Sequence, residues 1–292
     1  MAVFTNQATL SYNNTVTNSN IVVGTLVEAL TAAKTAVTDT YTPGDDVTYV
    51  VSLINNGRAP LQNLTLRDDL GGYTFNGSTR YPLRYKEDSL RYYVNGVLQD
   101  DSPAVNPGPP MVISRVTVPP RSSVLLIYEA EVTNAAPLAC EGAITNTVTV
   151  TGRGITCPVT ASETITVEDT PRLSISKSMS PSVVMENGQL TYTFLIQNTG
   201  NVPVTAADDV VLTDDFDPML EDLTVTFNGE IWNRGANYTY TTRSCGECNG
   251  VGRFATIPGQ ITVPAATFAQ DPTTGVWTAT PGVATLVVSG RV

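Results

Sequence analysis

Histidine is absent from all 292 residues. Its absence removes Ser-His-Asp and Cys-His catalysis. Cysteine is scarce, with only Cys140, Cys157, Cys245 and Cys248, too few for a disulfide-framework fold. No run of about 18 apolar residues occurs, so no membrane insertion is expected. The N-terminus has neither a basic region nor an apolar core, so no signal peptide is expected. No C-terminal sorting or lipid motif is visible. No phosphate-cradling loop is present, since Gly250-Val-Gly252 does not sit between a strand and a helix. No cofactor is expected, and no enzyme beyond a single-turnover reaction of the chain with itself.

Basic residues are outnumbered, 16 against 27 acidic, for a net charge of −11. Nucleic acid and anionic membranes both need a basic patch, so neither is an expected partner. Charged residues are 15% and aromatics 7%, while Thr and Val, which favour strands, are abundant. No stretch has helical periodicity. Turn signals recur at Pro43-Gly44, Asn56-Gly57, Asn76-Gly77, Asn95-Gly96, Asn187-Gly188 and Asn228-Gly229. Short strands with regular punctuation predict an all-β chain of immunoglobulin-like sandwiches.

Cys245-Gly-Glu-Cys248 lies in a Gly/Asn loop. A local disulfide is the favoured reading and free thiols the next. A zinc site would need ligands from elsewhere, so no metal is expected. Cys140 and Cys157 flank a predicted hairpin strand and are too far apart to bridge each other, which leaves an intermolecular bridge open.

The chain repeats itself. Thr42-Pro-Gly-Asp-Asp-Val-Thr-Tyr49 through Asn55-Asn-Gly57 matches Val184 through Tyr192 and Asn198-Thr-Gly200. Leu64-Thr-Leu-Arg-Asp68-Asp69 matches Val211-Leu-Thr-Asp214-Asp215, and Val124–Val132 matches Ala284–Val292. Each repeat opens with a strand ending in lysine, Leu30–Lys34 and Leu173–Lys177. The first repeat closes with a hairpin, Ile144–Val150 returning as Thr160–Val167. The second has no such hairpin before Val292. A near copy stands at the front instead, in Phe4-Thr-Asn6-Gln-Ala8-Thr-Leu10. Asn6 to Lys34 is 28 residues and Asn146 to Lys177 is 31. Asn13-Asn14 and Asn18-Ser19-Asn20 are the expected turns of this front hairpin.

Three segments follow: a donor hairpin over 1–25, domain 1 over 26–169, and an incomplete acceptor domain 2 over 170–292. An unfinished sandwich exposes an edge that invites a strand from another chain. The expectation is a head-to-tail homopolymer in which Phe4, Ala8 and Leu10 fill a neighbour's core.

Alternation places polar groups on apolar faces. Lys34 shares a face with Leu30 and Ala32, Lys177 with Leu173 and Ile175, Asn146 with Ile144 and Val148, and Asn6 with Phe4 and Ala8. Buried lysine is costly unless paired or neutral. A lysine matched to an asparagine suggests an isopeptide bond: an uncharged amine attacks the amide and ammonia leaves. A buried carboxylic acid must shuttle protons. Asp68 and Asp214 are the matched candidates, and Asp69 and Asp215 the second choices. Lys34 and Asn146 would join within one chain, and Lys177 and Asn6 between chains.

These motifs together resemble the conserved-repeat domain of bacterial and archaeal surface proteins, the family called domain of unknown function eleven, over roughly Thr25–Val167 and Leu173–Val292. The pattern is also similar to isopeptide-bearing pilus domains of Gram-positive bacteria, whose lysine, asparagine and acid map onto Lys34, Asn146 and Asp68. The resemblance implies a stalk, pilus or spore-appendage-like fibre outside the cell, on a cell or spore surface. The alternative reading is a monomeric surface adhesin or carbohydrate-binding stalk module.

Overall fold

The computed structural model describes residues 2–26, 29–245 and 248–292. The chain divides into two compact units. Unit 1 holds the chain up to Ala136 plus Ala143–Thr166, and unit 2 holds Pro137–Gly142 plus Val167–Val292. Both are antiparallel β-sandwiches of immunoglobulin-like type. Among the described residues the one helical segment is a single 3-10 turn, Ala206–Asp208. No helix is long and apolar enough to cross a membrane.

Unit 1 begins with a free-standing hairpin of β1 (Ala2–Asn6), β2 (Thr9–Tyr12), β3 (Thr15–Asn18) and β4 (Val22–Leu26). Strand β1 pairs with β4 and β2 with β3. The turn is Asn13-Asn14, both at positive φ (43° and 61°), where asparagine is tolerated and a two-residue hairpin needs it. The Asn18-Ser19-Asn20 cluster is not a turn. Its strand carries one extra residue between the Thr9↔Asn18 and Asn6↔Val22 pairs, so the cluster forms a bulge. Ala8 and Ser19 bridge it with reciprocal bonds.

The body of unit 1 is built from β5 (Leu30–Ala36), β6 (Asp46–Asn55), β7 (Leu61–Asp68), β8 (Arg91–Val94), β9 (Met111–Val118), β10 (Ser122–Val132), β11 (Ala143–Thr151) and β12 (Val159–Val167). One sheet runs β8-β10-β6-β5 and the other β9-β7-β11-β12, with short strands at their edges. Alternation works as the pleat requires. Val47, Tyr49, Val51 and Leu53 of β6 are buried, as are Leu64 and Leu66 of β7.

Unit 2 repeats the first sheet. Strands β13 (Leu173–Ser180), β14 (Gln189–Asn198), β15 (Thr213–Phe216), β16 (Glu221–Phe227), β17 (Tyr238–Cys245), β18 (Cys248–Thr256) and β19 (Gly282–Arg291) are its main elements. The order β16-β19-β14-β13 mirrors β8-β10-β6-β5. Among the described residues the second sheet is β15-β18-β17. Aromatics fill this core: Phe216 stacks on Tyr192 at 4.9 Å and tilts against Phe254 at 5.9 Å.

The repeated Asn-x-Gly motif is a structural clasp. Asn55 is fully buried and donates to the carbonyls of Ala59 and Val118, while Gly57 N donates to its Oδ1. Asn198 does the same with Val202 O and Gly200 N.

Candidate functional site

The site grows from two strands on opposite sheets of unit 1. Strand β5 carries Lys34 into the interior four residues after Leu30, and both are buried. Strand β7 ends at Asp68, which pairs in register with Val148 of β11. Asn146 lies two residues earlier on β11 and so faces the same interior, with no exposed surface.

Lys34 Nζ donates to Asp68 Oδ2 at 2.6 Å, with both side chains almost wholly removed from solvent. The same Oδ2 accepts from Tyr128 Oη at 2.5 Å. Leu70 N donates to Asp68 Oδ1 at 3.0 Å. Asn146 Nδ2 donates to Tyr128 Oη at 3.5 Å. Lys34 Nζ stands 4.9 Å from the Tyr49 ring centroid. Burial pushes the Lys34 amine below its ordinary value, although Asp68 pulls the other way. Burial likewise pushes the phenols of Tyr128 and Tyr49 up.

Two groups of the cluster are left over. Asn146 Oδ1 is buried and makes no hydrogen bond, a costly state for an amide oxygen. The Tyr49 hydroxyl is buried beside the Asn146 side chain and is likewise left without a hydrogen bond of good geometry. The arrangement therefore holds an amine, a carboxyl and an amide in one dry cluster, with a phenol linking the last two.

Sequence alternation singled out Lys34, Asp68 and Asn146 but not the phenols. Tyr on an apolar face reads as core, and only its hydroxyl tip marks it. The second-choice acid Asp69 holds backbone instead, since its Oδ1 accepts from Thr147 N and Gly71 N.

Unit 2 holds the matching pair in a different setting. Lys177 Nζ donates to Asp214 Oδ2, and Lys177 lies 4.3 Å above the Tyr192 ring. Its side chain is 39% exposed, against none for Lys34. Every residue of β13 is exposed, including Leu173, Ile175 and Met179. Among the described residues, β15 pairs on one edge only, with β18. In unit 1 the matching strand β7 is paired on both edges, by β9 and β11. Asp215 points away and pairs with Arg253 at 3.5 Å.

Among the described residues nothing covers the front hairpin. Every residue from Val3 to Val23 is exposed, Phe4 at 55% and Leu10 at 63%. Paired residues share a face, so Phe4, Asn6, Ala8 and Leu10 lie together with Val22, the partner of Asn6. On β11 the same face is Ile144, Asn146, Val148 and Val150, all buried.

Cys140 and Cys157 are free and exposed. Cys245 and Cys248 are register partners across the β17–β18 hairpin, but their side chains lie outside the described residues. Among the described residues no group of three or more Cys, Asp or Glu is placed to hold a metal ion.

No family model and no curated protein matches the chain, so the conserved-repeat resemblance rests on the motifs alone. The fold is similar to the pilus backbone protein RrgB of Streptococcus pneumoniae, at 10% identity and TM-score 0.34, covering 86% of this chain. The chain spans 55% of that structure's length. The full-length RrgB structure matches at 13% identity and TM-score 0.34, over 91% of this chain and 41% of its own. The collagen adhesin of Staphylococcus aureus matches at 14% identity and TM-score 0.31, over 54% of this chain and 55% of its own. Scores this low leave the fold to rest on the sheets described above.

Proposed function

We propose that the protein is the structural subunit of an extracellular filament, joined head to tail by donation of its front hairpin to unit 2 of a second copy. One observation carries this reading. Unit 2 lacks a partner on the edge of β15 and a cover over β13 among the described residues, while residues 2–26, exposed throughout 3–23, repeat the hairpin that supplies both in unit 1. Exposed edges and apolar faces are costly alone and are satisfied by an added strand.

The register transfers directly. Val148 sits opposite Asp68, so Ala8 of the donor sits opposite Asp214 and Asn6 faces Lys177. Phe4, Ala8 and Leu10 then cover Leu173, Ile175 and Met179. The contact joins two different surfaces, so it propagates. The chemistry of unit 1 hardens each subunit. Lys34 Nζ forms a bond to Asn146 Cγ, the Cγ–Nδ2 bond breaks, and ammonia leaves. Lys177 and the donor's Asn6 undergo the same exchange between copies. Placement outside the cell belongs to this reading and follows from the motif resemblance.

Electron microscopy of the full chain and of a chain lacking residues 1–19 tests the donor. Uniform fibres are expected from the first and single particles from the second. Single particles from both, as a stalk module or self-closure would give, overturn the filament. Fibres from both overturn the hairpin as donor.

A further inference from the structure

We propose that the Tyr128 hydroxyl is the proton relay of the Lys34–Asn146 cross-link, delivering to the departing nitrogen a proton that Asp68 takes from the amine. This rests on the cross-linking reading of unit 1. The geometry carries the added step. Among the described contacts, Asn146 Nδ2 reaches Tyr128 Oη and not Asp68, while Tyr128 Oη and Lys34 Nζ meet on the same Asp68 Oδ2. A leaving amide nitrogen must be protonated, because an amide anion is a very poor leaving group. Tyr49 also lies beside Asn146, but among the described contacts the Tyr128 hydroxyl is the one bonded to both Asn146 Nδ2 and Asp68.

The steps balance. The neutral Lys34 amine attacks Asn146 Cγ. Its carbon becomes tetrahedral, the carbonyl π pair moves onto Oδ1 until it re-forms the double bond as Nδ2 leaves, and the Nδ2 lone pair, delocalised in the amide, localises on nitrogen. The hydrogen bond between Nδ2 and Tyr128 Oη then reverses direction. Lys34 Nζ loses a proton to Asp68 Oδ2, Asp68 passes one to Tyr128 Oη, and Tyr128 passes its own to Nδ2. The Cγ–Nδ2 bond breaks and ammonia departs. Asp68 returns to carboxylate and Tyr128 to phenol, so no water or oxidant is consumed.

The matched position in unit 2 sharpens the assignment. Tyr128 registers with Tyr49 on β6, and Val288 registers with Tyr192 on β14. Val288 is fully buried and has no hydroxyl. The Tyr49 and Tyr192 phenols recur in both units, but among the described residues the relay phenol stands only in unit 1, so in the exchange between copies Asp214 would have to serve the leaving nitrogen itself.

The test uses full-length chain recovered unfolded, where amine and amide are apart, then refolded and sampled for intact mass over time. Read in the single-chain fraction, before copies link through Lys177 and Asn6, the native chain is expected to become one ammonia lighter. Tyr128→Phe keeps the ring and should slow that loss by about 100-fold or more, the usual scale of one general acid–base group. Loss by the native chain and by Tyr128→Phe at equal rates overturns the relay and leaves the cross-link standing. A native chain that refolds at full mass overturns both. A second substitution guards against a variant that fails to refold. Fluorotyrosine placed at position 128 preserves the shape and acidifies the phenol. It should shift the pH–rate profile to lower pH, which a purely structural tyrosine would not do. An unmoved profile removes Tyr128 from the proton path.

Discussion

In unit 1 the strand that carries Lys34 is covered, and in unit 2 the strand that carries Lys177 is bare. The two strands open the same repeat and lead into sheets of the same order. Leu30 is 2% exposed and Leu173 is 41% exposed. Nothing in β13 itself accounts for this, since Leu, Ile and Lys alternate there as apolar, small and Lys residues do in β5. The difference lies in β11 and β12, which close unit 1 over the Lys34 site and have no counterpart among the described strands of unit 2. Closure decides the chemistry too. Burial makes the Lys34 amine easier to neutralise, whereas Lys177 keeps solvent contact until something covers it. A bond between copies would then wait for docking, which protects a lone subunit from reacting with the wrong partner.

The largest effect should come from removing the proposed Lys34–Asn146 cross-link. Asn146→Ala should leave the chain at full mass. A tie across roughly 110 residues contributes about 4.7 kcal/mol by loop closure alone, so unit 1 should lose stability on that order in chemical denaturation. Lys177→Ala should cost the isolated subunit less than about 1 kcal/mol, because its ion pair is partly exposed. It should instead yield fibres that fall apart in hot detergent. Similar stability losses in the two variants would erase the distinction between the units.

Next in size is packing. Leu30→Ala should cost about 2–5 kcal/mol, the usual range for a buried leucine. Leu173→Ala should stay within about 0.5 kcal/mol in a subunit lacking residues 1–25, and show its cost only when a donor hairpin is present. Denaturation midpoints of the parent and Leu173→Ala chains, with and without a synthetic peptide of residues 1–25, measure this. A peptide that stabilises the Leu173→Ala chain as much as its parent would mean that the hairpin docks elsewhere.

Much of this contrast was legible in the sequence, for a physical reason. Strand alternation has a period of two, so the inward positions of Lys34, Asp68 and Asn146 follow from their apolar neighbours. The repeat then supplies Lys177, Asp214 and Asn6 by matching. The convergence of hydroxyl tips was not legible. Tyr49 and Tyr128 look like any buried tyrosine in a strand, and only packing brings Tyr128 between Asp68 and Asn146. The bulge of the front hairpin was also hidden, because Asn18-Ser19-Asn20 has the composition of a turn and its role depends on register. Asn55 and Asn198 stood out as a repeated motif. Their clasp on neighbouring backbone carbonyls explains it without any chemistry.

The smallest effect is a pH slope, and it separates a free Lys34 from a bonded one. In the Asn146→Ala chain, Lys34 keeps a titratable amine. Burial lowers its folded-state value below the ordinary 10.5, against the pull of Asp68, Asp69 and Glu163. Between that lowered value and 10.5 the unfolded chain binds more protons than the folded one. Stability contributed by this group must therefore rise with pH across that window. In the cross-linked chain the nitrogen is an amide and cannot titrate, so this rise is absent. Midpoints measured from pH 7 to about 9.5 for the Asn146→Ala chain, set against an Asn146→Ala chain also carrying Lys34→Met, isolate the contribution. The first should gain on the second as pH rises. Parallel curves would show that Lys34 stays charged in its cluster, and a charged amine has no lone pair with which to attack Asn146.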